Sequence, residues 1–240
     1  MNIVYTWHSA KKVRWYNKDF EIKTLIVSLN QSLKFFNRVT LYTDVKSFEE
    51  LKNYTLPKIE VVFKKRVEHN LWVLDKIATY ELQTEPFLHI DADFIFTKNP
   101  SEKFLNSEVG FQSLDSFDKC EFYEKKLKKI KLLNIYKEEF IPYSFNFGVY
   151  LCNNISLNKD YCTTAKNAAK KLIENTSSLL SYNVIVEQYT MSEVLNNKKT
   201  YPSFLIENYT EEQAEKTGFI HILNNKNNKN YYETIQKKYI

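Results

Sequence analysis

Glycine is scarce in this chain, whose 240 residues include only Gly110, Gly148 and Gly218. Neither GxGxxG nor GxxxxGKS/T is present, which excludes the nucleotide sites that cradle phosphates in a Gly-rich loop. A bound diphosphate would therefore need a metal ion or basic side chains to neutralise it.

Arginine is also rare, although lysine is abundant and the net charge is +5. No basic patch is interleaved with aromatic residues, so nucleic acid is not an expected partner. The three cysteines, Cys120, Cys152 and Cys162, form no CxxC pair. Their odd number and spacing argue against a zinc site or a disulfide framework, and we expect reduced, structural thiols.

Long apolar runs are missing as well, since none approaches the roughly 20 residues that span a membrane. The first residues lead into an apolar strand without a basic leader segment, so we expect a cytoplasmic protein. Hydrophobic residues make up 43% of the chain and aromatic residues 15%. This is sufficient for one folded domain over residues 1–240.

Apolar, β-branched runs alternate with helical periodicity along the chain. Strands are predicted at residues 3–7, 39–43, 59–63, 87–90, 109–111, 145–152, 201–206 and 219–223. Helices are predicted at residues 22–36, 71–82, 121–136, 160–174 and 182–195, with a short one starting at 47–50 and a loop at 224–230. This alternation predicts an α/β fold with a mainly parallel central sheet and helices on both faces.

Two carboxylates follow a strongly apolar predicted strand. Asp91 and Asp93 come directly after residues 87–90 and before the apolar residues 94–96. Ligands of such sheets bind beyond the carboxyl ends of the strands, and a pair of carboxylates there suits Mg²⁺ or Mn²⁺. A DxD sequence is common, however, and an acidic surface turn explains it equally well.

Four further segments extend this pattern to a family. They are Lys76 on the preceding helix, Phe145-Asn146-Phe147-Gly148-Val149-Tyr150, Glu187-Gln188 and Gly218-Phe219-Ile220-His221. With Asp91-Ala92-Asp93 they resemble the motifs of GT-A glycosyltransferases, and look closest to bacterial relatives of the retaining glycogenin/galactosyltransferase (LgtC-like) family. Several motifs in the right order are more specific than any one alone.

The resemblance implies a GT-A fold and an activity. We expect a metal-dependent hexosyltransferase that moves a sugar from a nucleotide diphosphate sugar, expected to be a UDP-hexose, to an acceptor hydroxyl in bacterial surface glycan synthesis. Residues 1–100 would form the nucleotide-binding half, and residues 101–240 the acceptor and sugar half. Retention of anomeric configuration is implied by the resemblance alone.

The resemblance also implies a metal site. Asp91, Asp93 and His221 would hold Mn²⁺ or Mg²⁺. The family's closing His is followed by a Gly and then by a Lys that contacts the diphosphate. Here Asn224 replaces that Gly, and Lys226 comes one position early, so the assignment of this contact to Lys226 or Lys229 stays open.

The remaining family positions concern the donor sugar. Lys76 would contact the donor, Asn146 and Gly148 would border the sugar, and Gln188 would lie under its reacting face. No carboxylate is an obvious nucleophile, although Glu187 is the nearest candidate. Without the family match, Lys76 would be interpreted as a surface lysine paired with a neighbouring acid on its helix.

Several polar residues near strand ends have two interpretations each. Thr6 and Trp7 could bind a uracil-like base, or Trp7 could be a core aromatic. Asp44 could bind the nucleoside or, as we slightly prefer, cap the next helix. His89 is expected to support the metal site or the core rather than to be a ligand. Taken alone, His221 would be interpreted as a strand histidine whose ring nitrogens have hydrogen-bond partners.

The basic, amphipathic residues 125–133 form either a solvated helix face or a peripheral contact with an anionic membrane. The second interpretation would place the protein at the inner face of the membrane, next to a lipid-linked or other glycan acceptor.

Two rival functions differ from the transferase in class. A non-catalytic nucleotide- or glycan-binding protein on the same scaffold would not need metal ligands. A DxD phosphatase of the haloacid dehalogenase type would carry the motif near its N-terminus. It would then have a Ser/Thr, a Lys and a second acidic pair, which are not evident here. We therefore favour the transferase over both.

Overall fold

The computed structural model describes residues 1–9, 15–67, 71–115, 117–130, 134, 136, 140–176, 179–223 and 225–239. Its contacts divide the chain into two compact units. The first unit consists of Met1–Arg66, Phe87–Ser101 and Thr210–Ile240, and the second of Val67–Pro86 and Glu102–Tyr209. Each unit therefore combines segments that are distant in sequence.

In the described residues, the strands are β1 Asn2–Thr6, β2 Val39–Thr43, β3 Glu60–Phe63, β4 Phe87–Ile90, β5 Phe94–Phe96, β6 Val109–Leu114, β7 Phe145–Cys152, β8 Ser203–Phe204 and β9 Phe219–His221. The helices are α1 Lys18–Phe35, α2 Val45–Leu51, α3 Val73–Glu81, α4 Glu102–Leu105, α5 Phe117–Ile130, α6 Ile155–Asn175, α7 Thr190–Lys198, α8 Glu211–Thr217 and α9 Lys229–Tyr239.

The first unit contains four parallel strands in the order β3-β2-β1-β4. Val4 of β1 lies between Thr40 of β2 and His89 of β4. Every residue of β2 and β4 is buried, as expected for parallel strands that are covered on both faces. The carboxyl ends of β1, β2 and β4 consequently lie side by side.

Helix α1 is fastened to this sheet by buried hydroxyl groups. Asn17 caps the helix by accepting a hydrogen bond from the amide of Phe20 at 2.9 Å, a common helix-start arrangement. The Tyr5 hydroxyl in β1 contacts the hydroxyls of Ser28 at 2.8 Å and Ser32 at 2.7 Å. The Ser28 hydroxyl in turn donates to the carbonyl of Phe94, so one helix holds both β1 and β5.

The second unit is built on β7-β6-β8, in which β6 pairs antiparallel with β7 and parallel with β8. The register shifts between Phe111 and Ser113, which marks a β-bulge. The Phe111 and Phe145 rings stack at 4.7 Å, and every residue of β7 is buried. Helices α3 and α6 pack against each other within this unit.

Two buried thiols also lie in the second unit. Cys152 and Cys162 are free and buried, which confirms their expected structural role. Burial raises the pKa of Cys152 to about 11 and that of Cys162 to about 12, so both are unreactive thiols at neutral pH. The side chain of Cys120 lies outside the described residues.

Most of the strand pairs given above are parallel and helices lie around the strands, so the expected α/β class with a mostly parallel sheet is confirmed. Three predictions were wrong in detail. Helix α9 begins at Lys229, inside the loop expected at residues 224–230. The helix expected at residues 182–195 is a 3₁₀ turn at Leu180–Tyr182, a π-helical turn at Ile185–Tyr189 and then α7. The strand expected at 201–206 shortens to Ser203–Phe204.

Candidate metal centre and its surroundings

The DxD sequence lies where the chain leaves the parallel sheet. Ile90, the last residue of β4, is paired with Tyr5 of β1, and the chain turns immediately afterwards. The amide of Phe94 donates to the carbonyl of Asp91 at 2.9 Å, which closes the turn. Both carboxylates therefore lie beyond the carboxyl end of β4. The Asp91 side chain is partly exposed and that of Asp93 is buried.

His221 reaches this turn through a second, two-stranded sheet. Strands β5 and β9 pair antiparallel, with Phe94 opposite His221. The amide of Ile222 also donates to the carbonyl of Asp93 at 3.0 Å. The His221 Nε2 therefore lies 3.6 Å from Asp93 Oδ1. Strand pairing, rather than sequence proximity, brings the imidazole to the carboxylates.

Gly218 sets the start of β9. Its φ of +108° lies in the left-handed region that favours glycine. A Cβ at this position would lie 2.5 Å from Cβ of Lys98. The Gly218 carbonyl accepts hydrogen bonds from Thr97 at 2.8 Å and from Lys98 at 3.1 Å, so the close approach fixes the register that ends in His221.

One ligand atom each from Asp91, Asp93 and His221 lies within 4.8 Å of the others. Ligands on opposite sides of a small divalent ion lie about 4.2 Å apart, twice a bond of about 2.1 Å, so small side-chain rotations would suffice. Two carboxylate oxygens and one imidazole suit first-row ions such as Mn²⁺, whereas an all-oxygen set suits Ca²⁺. The donor set thus fits the expected cofactor.

Lys226 completes the charge balance around Asp93. Its Nζ lies 2.6 Å from Asp93 Oδ2 and 5.5 Å from the centre of the Trp15 ring. Burial alone would raise the pKa of Asp93, but the charges and hydrogen bonds of Lys226 and His221 hold it well below its usual value. Asp93 is therefore a carboxylate at neutral pH.

His89 lies beneath the DxD turn and outside the three-residue group. It is fully buried; its Nδ1 is 3.9 Å from Asp91 Oδ1, and its Nε2 is 3.2 Å from the hydroxyl of Thr6. The separation from Asp91 is too long for a hydrogen bond, so His89 is placed as a buried residue bonded to Thr6, in keeping with the expectation that it is not a ligand. Thr6, predicted to bind a base, is thus a partner of His89.

Trp7 is placed as a core aromatic. Its side chain is buried, and its Nε1 donates to Glu21 of α1 at 3.1 Å. The Lys18 ammonium lies 5.2 Å from the ring centre and 3.0 Å from Glu21. Stacking of a base on Trp7 stays a prediction, but the indole already has the partners of a structural residue.

A cluster that the sequence did not reveal lies at the neighbouring strand ends. Asp44 caps α2 by accepting from the amide of Ser47 at 2.8 Å, and His8 Nδ1 lies 2.7 Å from its other oxygen. Burial opposes ionisation of Asp44, but the His8 and Ser47 hydrogen bonds lower its pKa to about 2. The polar residues after β1 and β2 were the available signal, because adjacent parallel strands end together.

In the second unit, Lys76 and Glu187 form a buried ion pair. Lys76 Nζ lies 2.9 Å from Glu187 Oε1, which also accepts from the Tyr80 hydroxyl at 3.2 Å. The interpretation of Lys76 as a surface lysine paired along its own helix is therefore wrong, because the side chain is buried. Its contact with the donor stays a prediction, as does a nucleophilic role for Glu187.

Gln188 follows Glu187 in the π-helical turn, a feature that often marks functional sites. The Tyr123 hydroxyl lies 2.8 Å from the Gln188 side-chain oxygen and 3.0 Å from Asp115 Oδ2. One phenolic proton cannot serve both acceptors, and a carboxylate is the stronger one. The Tyr123 hydroxyl is therefore assigned as the donor to Asp115, and the Gln188 NH₂ group as the donor to the Tyr123 oxygen.

The β7 motif forms a small hydrogen-bonded unit of its own. The Asn146 side-chain oxygen accepts from the amide of Gly148 at 2.9 Å, and Asn146 lies opposite Ser113 of β6. Sugar contacts of Asn146 and Gly148 stay predictions.

The basic segment 125–133 is described only in part, because residues 131–133 and the side chains of 129 and 130 lie outside the described set. Lys125 and Lys128 lie near Glu121 and Glu124 on the same helix, and Lys126 donates to Ser181. Within the described residues, every helix is too short or too polar to span a bilayer.

Comparison with known proteins gives a family but no activity. No curated protein matches the chain. A family described as "Family of unknown function (DUF6734)" matches residues 1–239, which is nearly the whole chain. The protein therefore belongs to the DUF6734 family.

Proposed function

We propose that the protein is a metal-dependent glycosyltransferase that transfers a hexosyl group from a nucleotide diphosphate sugar, with UDP-hexose as the expected donor, to an acceptor hydroxyl. The observation that carries the proposal is the group Asp91, Asp93 and His221. It combines two residues that follow a parallel strand with one that is brought in by a separate strand. The GT-A type of the fold is part of this proposal.

Asp91, Asp93 and His221 would hold the Mn²⁺ or Mg²⁺ ion. When bound, the ion would neutralise charge on the diphosphate leaving group. The chain's own residues prepare for this, because the turn after β4 carries both carboxylates and the pairing of β5 with β9 places His221 beside Asp93. Preorganised ligands avoid the cost of reorganisation during the reaction.

Recognition of the sugar is assigned to Asn146, Gly148 and Gln188, as the family resemblance implies. The hydrogen bond between the Tyr123 hydroxyl and the Gln188 amide restricts rotation of that amide, and the bond donated by the Gly148 amide restricts Asn146. Glu187 already accepts hydrogen bonds from Lys76 and Tyr80. A carboxylate with two donors is a weak nucleophile, so we assign Glu187 to positioning.

The acceptor is proposed to be a glycan or a lipid-linked glycan, and residues 125–133 are its proposed contact with an anionic membrane. Sedimentation with vesicles of phosphatidylglycerol, compared with neutral phosphatidylcholine vesicles, tests this contact. Equal sedimentation with both kinds of vesicle would remove the membrane from the proposal.

The main test measures release of nucleoside diphosphate from a panel of nucleotide sugars in the presence of Mn²⁺. We expect turnover by the wild type and its loss in Asp93→Asn, together with the loss of Mn²⁺ binding. Asp19→Asn is the matched control, since Asp19 is a partly exposed carboxylate on α1 that pairs with Lys23 and accepts from Tyr54, away from the metal centre.

Turnover by Asp93→Asn at the wild-type rate would overturn the site assignment. Binding of a nucleotide sugar with Mn²⁺ but without turnover, in the presence of candidate acceptors, would instead favour the non-catalytic binding protein.

A further inference from the structure

The ammonium group of Lys226 forms an ion pair with Asp93, one of the proposed metal ligands. It lies 2.6 Å from Asp93 Oδ2, while the other oxygen of the same carboxylate faces His221 at 3.6 Å. The Asp93 side chain is 9% exposed, so little water can replace the ammonium at this oxygen. A divalent cation and the lysine would therefore compete for Asp93, because two cations bound to one small carboxylate repel each other.

The backbone at Lys226 is anchored while its side chain has a way out. The carbonyl of Lys226 accepts from the amide of Tyr16 at 2.9 Å, and the amide of Asn228 donates to the carbonyl of Asn225 at 2.9 Å. The Lys226 side chain is 27% exposed and rests against Trp15. A lysine has a flexible four-carbon stem, so its ammonium can leave Asp93 without movement of the loop backbone.

We propose that Lys226 is an internal competitor of the divalent cation and sets the metal affinity of the centre. Without a bound cation, its ammonium neutralises Asp93. When a cation takes that place, the ammonium moves away and becomes available to an anionic ligand. Cation and anion binding are thereby coupled through one side chain, and each strengthens the other by the same factor. This inference rests on the proposed metal site.

Mn²⁺ binding without any nucleotide tests the competition directly. Titrations followed by the electron paramagnetic resonance signal of free Mn²⁺ would compare wild type, Lys226→Met and Lys226→Arg. Methionine keeps the apolar stem beside Trp15 and removes the charge. We expect the Kd for Mn²⁺ to fall roughly tenfold in Lys226→Met, which corresponds to loss of one charged competitor. Lys226→Arg should stay near the wild type.

The matched control is Lys216→Met, which removes an exposed lysine that pairs with Glu212 on α8 and should leave the Kd unchanged. Melting temperatures without metal show whether each variant is folded, and Lys226→Gln serves as a second neutral variant.

A second titration adds UDP, with the association of Mn²⁺ and UDP in solution subtracted. UDP should tighten Mn²⁺ binding more in the wild type than in Lys226→Met.

The outcomes separate this inference from the proposed function. Equal or weaker Mn²⁺ binding by both folded neutral variants would overturn the competition while leaving the metal site intact. Absence of Mn²⁺ binding in the wild type and in both neutral variants would overturn the metal site and the inference together. Binding that appears only after removal of the charge would support both.

Discussion

Gly218→Ala tests whether a strained glycine controls the position of His221. The new Cβ would lie 2.5 Å from Cβ and 2.9 Å from Cγ of Lys98, and a Cβ cannot move away as the end of a flexible side chain does. An alanine held at positive φ costs about 1–3 kcal/mol. Overpacking adds about 1–3 kcal/mol.

Together these penalties amount to roughly 2–6 kcal/mol, which at about 2–4 °C per kcal/mol lowers the melting temperature by ~4–24 °C. The Gly218 carbonyl accepts hydrogen bonds from the amides of Thr97 and Lys98, so relief of the strain requires these bonds to lengthen and residues 218–221 to shift. We therefore expect a weaker affinity for Mn²⁺ in addition to the lower melting temperature.

Calorimetry measures the first effect and a Mn²⁺ titration the second. Gly110→Ala is the control, because its Cβ would lie 2.6 Å from the Phe104 ring while its φ is outside the left-handed region. It should lower the melting temperature and leave Mn²⁺ binding unchanged. A Gly218→Ala protein with wild-type melting temperature and Mn²⁺ affinity would refute the reasoning.

Three other outcomes are expected. Glu187→Ala should cost about 3–5 kcal/mol in urea unfolding, because Lys76 keeps a buried charge after losing its carboxylate, and the double variant with Lys76→Met should recover part of this loss; a more stable single variant would contradict it. Asp44→Asn keeps a residue that can cap α2 but removes the charge that accepts from His8 and Ser47, so it should lower stability by ~1 kcal/mol at pH 7. Because the pKa of Asp44 falls from 3.8 to about 2 on folding, the wild-type advantage is complete above pH 4 and vanishes as the pH falls through 2, whereas a constant difference would exclude this linkage. Tyr123→Phe should lower kcat for donor turnover about tenfold, the equivalent of one hydrogen bond, with little change in KM, since the Gln188 amide could then rotate; an unchanged kcat would remove Tyr123 from the positioning of Gln188.

Local patterns in the sequence were sufficient for much of the fold. The apolar run before Asp91 became β4, and the bounds of residues 39–43 and 145–152 were predicted correctly. Such runs report burial directly, since parallel strands are covered on both faces. The preference for Asp44 as a helix cap was also confirmed, because capping depends on residues that are adjacent in sequence.

The π-helical turn at Ile185–Tyr189 could not be derived in the same way. Apolar periodicity of about four residues is compatible with either kind of helix over so short a segment. What distinguishes them here is tertiary contact, such as the hydrogen bond from the Tyr161 hydroxyl to the carbonyl of Glu187 at 3.1 Å.

By itself, the sequence determined that two carboxylates follow a buried strand and that a histidine follows a glycine near the end of the chain. Only the tertiary structure decided that Asp93 meets both His221 and Lys226, and that Lys76 meets Glu187. Composition and periodicity describe which residues are buried, but the partners of buried charges depend on strand pairing and helix packing between distant segments. The pairing of β5 with β9 brings His221 to the acidic turn and makes it a candidate metal centre, in which Lys226 is the proposed competitor of the metal ion.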